Sequence, residues 1–271
     1  MRQRAQPWLG TLVSICIPDT LPEPNIHAGF QAAFRAVQEV HQCMSFHADD
    51  SDIRRFNRAV SGEVIVIQPH TATVLQAALQ LHELSAGIFD IRLASRLAAQ
   101  ALLPAGDMAI PEFVPGHYAY RFVDSCQIQK LRADWIDTGG IAKGYAVDVA
   151  FAALQQHGIT QAIVNAGGDI RVGGQHVIAI RDPLQPQRLA RQVTLCDQAI
   201  ATSASYYTRA GDAACSALFD GRSGLPVNSL QSVSVIAREC LWADALTKVV
   251  AATANPQHDS LVAFEAQALI L

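Results

Sequence analysis

Charge is scarce in this chain. Asp, Glu, Lys and Arg together make up 16% of its 271 residues, against 50% for the hydrophobic types. That balance excludes a largely disordered or coiled-coil protein, because both are rich in charge. The charges present leave a formal net of -4, which argues against nucleic acid as the main partner, since such surfaces are basic. No apolar run approaches the ~20 residues of a membrane-spanning helix, so no integral membrane segment is expected. The six cysteines (Cys16, Cys43, Cys126, Cys196, Cys215 and Cys240) form no CxxC pair and read as small buried apolar residues in a reducing compartment. The nine histidines show no HxH or HExxH spacing, which removes the usual zinc signatures. A GxSxG elbow is also lacking, and with it the mark of an acyl hydrolase. No internal repeat and no low-complexity linker divide the chain, so one unit spanning residues 1–271 is expected.

Met1 to Arg4 is basic and Trp8 to Ile17 is fairly apolar, the outline of a signal peptide. The run carries no small-residue cleavage site and ends at Pro18, so an opening strand over Leu9–Ile17 is the expectation. The location that goes with it is cytoplasmic for the chain as given, or periplasmic if a leader has been removed.

Asn25 is placed to cap a helix in which Ile26, Phe30, Ala33, Phe34, Val37, Val40 and Met44 share one face at helical spacing. The polar segment HADDSDIRRFNR follows, then a short strand from Glu63 to Ile67. A second helix is expected over Thr71–Ala86, stopped by Gly87. The proline- and glycine-rich span from Leu103 to Gly116 reads as a long loop, either a lid or a crossover. Strand-like residues recur from Tyr120 to Gln129. A third helix is expected over Ile141–His157 with Gly158 at its end. Ala162–Asn165 and Asp169–Val172 read as strands around the turn AGG. Further strands are expected at Val177–Ile180, Gln192–Leu195 and Ser232–Ala237, and a last helix from Ala243 to Ala254. Helices and strands mix without strict alternation, which favours an α+β fold over a doubly wound parallel sheet.

The stretch DTGGIAKGYAVD, Asp137 to Asp148, holds the strongest chemical signal. Lys143 falls near a helix start, where the helix dipole disfavours a cation unless an anion sits there too. Backbone N–H groups of a first turn, backed by a lysine, form a phosphate cradle. The alternative is a glycine turn with a lysine facing solvent. It is neither a Walker motif, because Gly144 follows Lys143, nor a GxGxxG fingerprint. Asp137 can accept from a ligand or cap its own turn. Gly139 and Gly140 allow close approach of a ligand or simply permit positive φ. Asp148, among apolar neighbours, either faces a site or reaches the surface. Asn165 to Asp169 is a second glycine turn, with Gly167 and Gly168 either in a plain hairpin or bringing backbone to the same ligand. Thr202 and Ser203 follow a strand and can donate to phosphate or flavin oxygens. Asp244 begins a helix, where capping is the ordinary role and metal ligation needs partners from elsewhere.

Taken together these segments resemble the ApbE family, the FAD:protein FMN transferases. LGTLVSI, MSFHADDSDIRRFNR, GIFDI, DTGGIAKGYAVD, IVNAGGDI, AIATSASY, FDGRSGLPV and WADAL occur in the family's order and span nearly the whole chain. The resemblance implies an α+β fold related to the T-fold, with mixed or antiparallel sheets and packed helices. It implies FAD as ligand and a magnesium-dependent transfer of FMN to a Thr or Ser hydroxyl of a target flavoprotein, a subunit of a redox complex, with release of AMP. By the family pattern Asp137 and Lys143 contact FAD, and Phe89 and Asp90 border the nucleotide. The backbone at Gly140 and the carboxylate of Asp244 match metal-ligand positions, and Asp244 and Lys143 carry the catalysis. The chain departs from the pattern at three places. Lys248 stands where the family has a Thr metal ligand, four residues after the Asp. Ala217 stands where it has a histidine, with Gly221 in place of a usual proline. His47 stands where an aromatic, usually Tyr, borders the flavin. The second reading is therefore a flavin-binding relative that is non-catalytic or hydrolyses FAD.

Overall fold

A computed structural model gives the fold and describes residues 1–271 except 184, 186, 205–216 and 228–230. Cys215, and Ser205 and Tyr206 of the AIATSASY block, lie outside the described residues.

A seven-stranded antiparallel sheet forms the first layer. Its strands β1 (Arg2–Trp8), β2 (Thr11–Ile17), β6 (Ile163–Ala166), β7 (Asp169–Val172), β10 (Ala199–Ala204), β13 (Ser232–Ala237) and β14 (Gln267–Ile270) lie side by side in that order. Helices α1 (Glu23–Met44), α5 (Ala142–Gln156) and α6 (Cys240–Thr253) pack together, with α5 and α6 against the sheet. A second layer holds the three-stranded sheet β3 (Val64–Val66), β5 (Gln127–Lys130) and β4 (Tyr120–Asp124), with helices α2 (Asp52–Arg58) and α3 (Pro69–Leu84). Helix α4 (Ala94–Ala99) and two antiparallel pairs, β8 (Gln175–Arg181) with β9 (Leu189–Cys196) and β11 (Phe219–Asp220) with β12 (Leu225–Pro226), complete the α-helices and strands of the described residues. One apolar cluster joins α1 and α5 to the large sheet through Ile15, Phe30, Val37 and Val147. Another joins α3 and α6 to the small sheet through Leu75, Ile128 and Leu246. The α+β architecture with antiparallel sheets and packed helices is the one expected.

Several boundaries differ from expectation for local reasons. The chain opens with a hairpin, not one strand. Leu9 (φ +56°) and Gly10 (φ +70°) are both left-handed, as a two-residue turn between twisted strands requires. Strand β1 is almost wholly exposed, so no apolar alternation marks it in the sequence. The apolar stripe of α1 is buried as anticipated, but the helix starts after Pro22 rather than at Asn25, with a proline inside its first turn. The polar segment HADDSDIRRFNR contains a helix. The Ser51 hydroxyl accepts from the Arg54 N–H at 3.0 Å and starts α2, which buries Ile53 and Phe56. Residues 103–116 hold neither helix nor strand, in keeping with a loop.

Candidate functional site

The site is built where α5 and α6 meet. The Asp137 N–H donates to the Ile91 carbonyl at 2.8 Å, tying the glycine turn to the last residue of GIFDI. The Gly139 N–H donates to Asp137 Oδ2 at 3.1 Å, so the carboxylate does close its own turn. Thr138 O accepts from the N–H groups of Ile141 and Ala142 as α5 begins. Lys143, in its first turn, donates to Asp169 Oδ2 at 2.7 Å and to Asp244 Oδ2 at 3.3 Å.

Asp244 is not a cap of its own helix. It lies in the second turn of α6, whose N-cap is Glu239, and its Oδ2 accepts from the Gly144 N–H of α5 at 3.1 Å. Asp148 does the converse. Its carboxylate accepts from the Cys240 and Leu241 N–H groups at 2.9 and 2.8 Å, at the start of α6, and pairs with Arg171. Asp148 therefore neither faces the cleft nor merely reaches the surface. The close approach needs Gly144: a Cβ there would sit 2.2 Å from the Cys240 carbonyl oxygen. Lys248, one turn beyond Asp244 on the same face of α6, donates to the Asp244 carbonyl at 2.9 Å and to its Oδ1.

These groups perturb one another. Burial raises Asp169 to about 6, and repulsion from Asp244 adds to it against the pull of Lys143. Burial also opposes the charge of Asp244, but the two lysines and the Gly144 N–H hold its carboxyl below the usual range. Burial opposes the Lys143 ammonium, yet Asp244 and Asp169 outweigh it and hold the group firmly protonated. Asp137 is raised by burial, against the Gly139 N–H and the charges of His47 and Lys143.

A cleft of about 540 Å³ opens over this cluster. Phe89, Asp90, Asp137, Gly139, Gly140 and Lys143 line one side, and Ser203, Ala217 and Lys248 also face it. Asp244 lies beneath, 1% exposed, reached through the two lysines. The Asp90 carboxylate is held in a fork by Arg92, at 2.6 Å to Nη2. Ser203 and Thr202 point to opposite faces of β10. The Ser203 hydroxyl meets Thr247 at 2.8 Å, whereas Thr202 pairs with Ser234 and does not line the cleft. His47 does not line it either, although its charge reaches Asp137. Gly167 (φ +64°) and Gly168 (φ +104°) form the two-residue hairpin turn of β6 and β7, with Gly167 against Thr11 and both outside the cleft wall. Asp169, just past that turn, is the site carboxylate that sequence reading left in the turn.

The cluster does not present the open donor set of a divalent cation. Both Asp244 oxygens are taken by lysines, and the Lys248 stem fills the space beside Gly140, its Cε 3.5 Å from where a Gly140 Cβ would lie. A Mg²⁺ site needs free oxygen donors in near-octahedral array. Among the described residues no group of three or more His, Cys, Asp or Glu could hold a metal ion.

Fold and site define an α+β protein with an anion-receptive cleft, made of a glycine turn, a helix start and two lysines over buried carboxylates. The sequence pattern of the ApbE family matches residues 9–270, and this chain belongs to that family. It is 32% identical to the FAD:protein FMN transferase of Vibrio cholerae over 78% of this chain and 69% of that protein. It is 26% identical to that of Treponema pallidum over 90% and 76% respectively. Among solved structures, the ApbE protein of Thermotoga maritima superposes with a TM-score of 0.86 at 24% identity, covering 99% of this chain and 93% of that one. The flavin transferase ApbE of Vibrio cholerae does so with 0.78 at 25%, covering 99% and 93%.

Proposed function

We propose that this chain is an FAD:protein FMN transferase that acts on a flavoprotein subunit of a redox complex. The observation that carries the reading is the convergence of the Asp137–Lys143 turn with Asp244 and Lys248 around one cleft. Family membership and the names of the relatives support it.

Phosphoryl transfer asks a protein mainly to position the reactants and neutralise developing charge. Each lysine ammonium has three donors. Lys143 commits two of them to Asp169 and Asp244, and Lys248 commits two to Asp244. Each keeps one for a phosphate oxygen. The positive end of the α5 dipole adds to the same field. In the reaction a Thr or Ser oxygen of the target attacks the FMN phosphorus of FAD. The bond from that phosphorus to the bridging oxygen breaks, and its electron pair leaves on AMP. The hydroxyl proton passes to solvent, and the FMN remains as a phosphoester. Lys143 and Lys248 hold the charge that gathers on the departing phosphate. The Asp137 carboxylate can accept from a ligand hydroxyl or amine. The donors at Asp244 are already engaged by Lys143 and Lys248, so the residues present do not fit the magnesium ion that the resemblance implies.

Intact-mass measurement tests the reading. A protein substrate of the Vibrio cholerae relative, mixed with this protein and FAD, should gain one FMN, with AMP released one for one. Free FMN and AMP beside an unmodified target would instead establish the FAD-hydrolysing reading. Unchanged FAD would leave at most a binding protein.

A further inference from the structure

Lys248 lies between the two groups that the family pattern assigns to a metal. Its stem runs past Gly140, and its ammonium sits on both the side chain and the backbone carbonyl of Asp244. The residue is 19% exposed at its side chain, so it borders the cleft rather than waving in solvent. The four charged groups Lys143, Lys248, Asp169 and Asp244 balance one another with no added ion. A divalent cation entering at Asp244 would have to expel an ammonium from a nearly buried carboxylate and then stand beside it. Like charges at that distance repel strongly where water is excluded.

We propose that Lys248 is a built-in counter-cation for the dinucleotide's diphosphate, so that this chain binds FAD without a divalent metal. The inference rests on the flavin-transferase reading of the same cleft. A lysine ammonium is a compact point charge with rotatable donors and imposes no coordination geometry. It supplies one positive charge where Mg²⁺ would supply two, and it stands beside Lys143 on the same carboxylate. Lys248 thus fixes a property of the site, its metal requirement.

The experiment is calorimetric titration of FAD into the wild-type protein and into Lys248→Thr and Lys248→Gln, each in EDTA and in excess Mg²⁺. We expect the wild type to bind FAD equally in both. Lys248→Thr should lose about tenfold in EDTA, the scale of one charge-assisted hydrogen bond, and regain it with Mg²⁺. Lys248→Gln, which keeps the length but not the charge, should lose affinity in both. A wild type that loses tenfold on chelation overturns the proposal and leaves the flavin reading standing. A wild type that binds FAD in neither condition refutes the flavin reading, and the proposal falls with it. Should Lys248→Thr fail to fold by circular dichroism, the wild-type comparison together with Lys248→Gln still decides.

Discussion

Asp148 and Asp244 stand on facing helices, and each closes the other's helix. Asp148 on α5 accepts from the Cys240 and Leu241 N–H groups at the start of α6, while Asp244 on α6 accepts from the Gly144 N–H near the start of α5. Helix starts leave unpaired N–H groups that favour a carboxylate, so the exchange stabilises both ends at once. It also fixes the place of Asp244, which orients both lysines of the cleft.

Asp148→Ala removes a carboxylate that serves two N–H groups and leaves Arg171 without its ion-pair partner. We expect a loss of about 1–3 kcal/mol in urea unfolding, from the lost cap and the unpaired guanidinium. An unchanged midpoint would show that the reciprocal caps contribute nothing.

Gly144→Ala places a methyl 2.2 Å from the Cys240 carbonyl oxygen and 2.8 Å from Asp244 Cβ. Backbone cannot yield as a flexible side chain does, so α5 and α6 must part. We expect about 1–3 kcal/mol of destabilisation, on the scale of overpacking in a core. FAD affinity should fall with it, because Lys143 and Asp244 move apart. Wild-type stability and affinity together would refute the tight crossing.

Lys143→Ala deletes one of the two ammonium groups and leaves Asp169 without its ion pair. FAD affinity should fall by about tenfold or more, on the scale of a charge-assisted hydrogen bond. Equal affinity in equilibrium binding would show that the lysine does not meet the phosphates.

Asp169 gives the site a pH dependence. Its carboxyl is raised to about 6 by burial and by Asp244. Below that value Asp169 is neutral and frees Lys143 for an anionic ligand; above it Asp169 competes for the ammonium. FAD affinity should therefore rise as pH falls from about 8 to about 5, and Asp169→Asn should flatten the curve. The stability term has the same sign. The native state holds this proton to higher pH than the unfolded chain does, so its contribution is lost as pH rises from the ordinary carboxylate range through about 6. A flat wild-type binding profile would remove Asp169 from the electrostatics of the cleft.

Much of this was legible in the sequence because it rests on local pattern. The apolar stripe of α1 and the glycine turn from Asp137 leading into Lys143 at the start of α5 follow from spacing and from glycine chemistry. What escaped was non-local or too short. Helix α2 has seven residues, fewer than a periodic pattern needs to show. Strand β1 is exposed along nearly its whole length and shows no apolar alternation, so nothing in its sequence distinguishes it from a tail. The role of Asp148 depends on a pairing 92 residues away, and that of Asp244 on one 100 residues away. Asp169 looked like the last residue of a hairpin turn, and only the approach of α5 makes it a partner of Lys143.

The most direct measurement is a crystal structure of this protein grown with FAD. We expect the diphosphate to lie against the Gly139–Gly140 turn, with oxygens within hydrogen-bond distance of Lys143 Nζ and Lys248 Nζ. A dinucleotide seated elsewhere, or with its phosphates away from both ammonium groups, would contradict the assignment of this cleft.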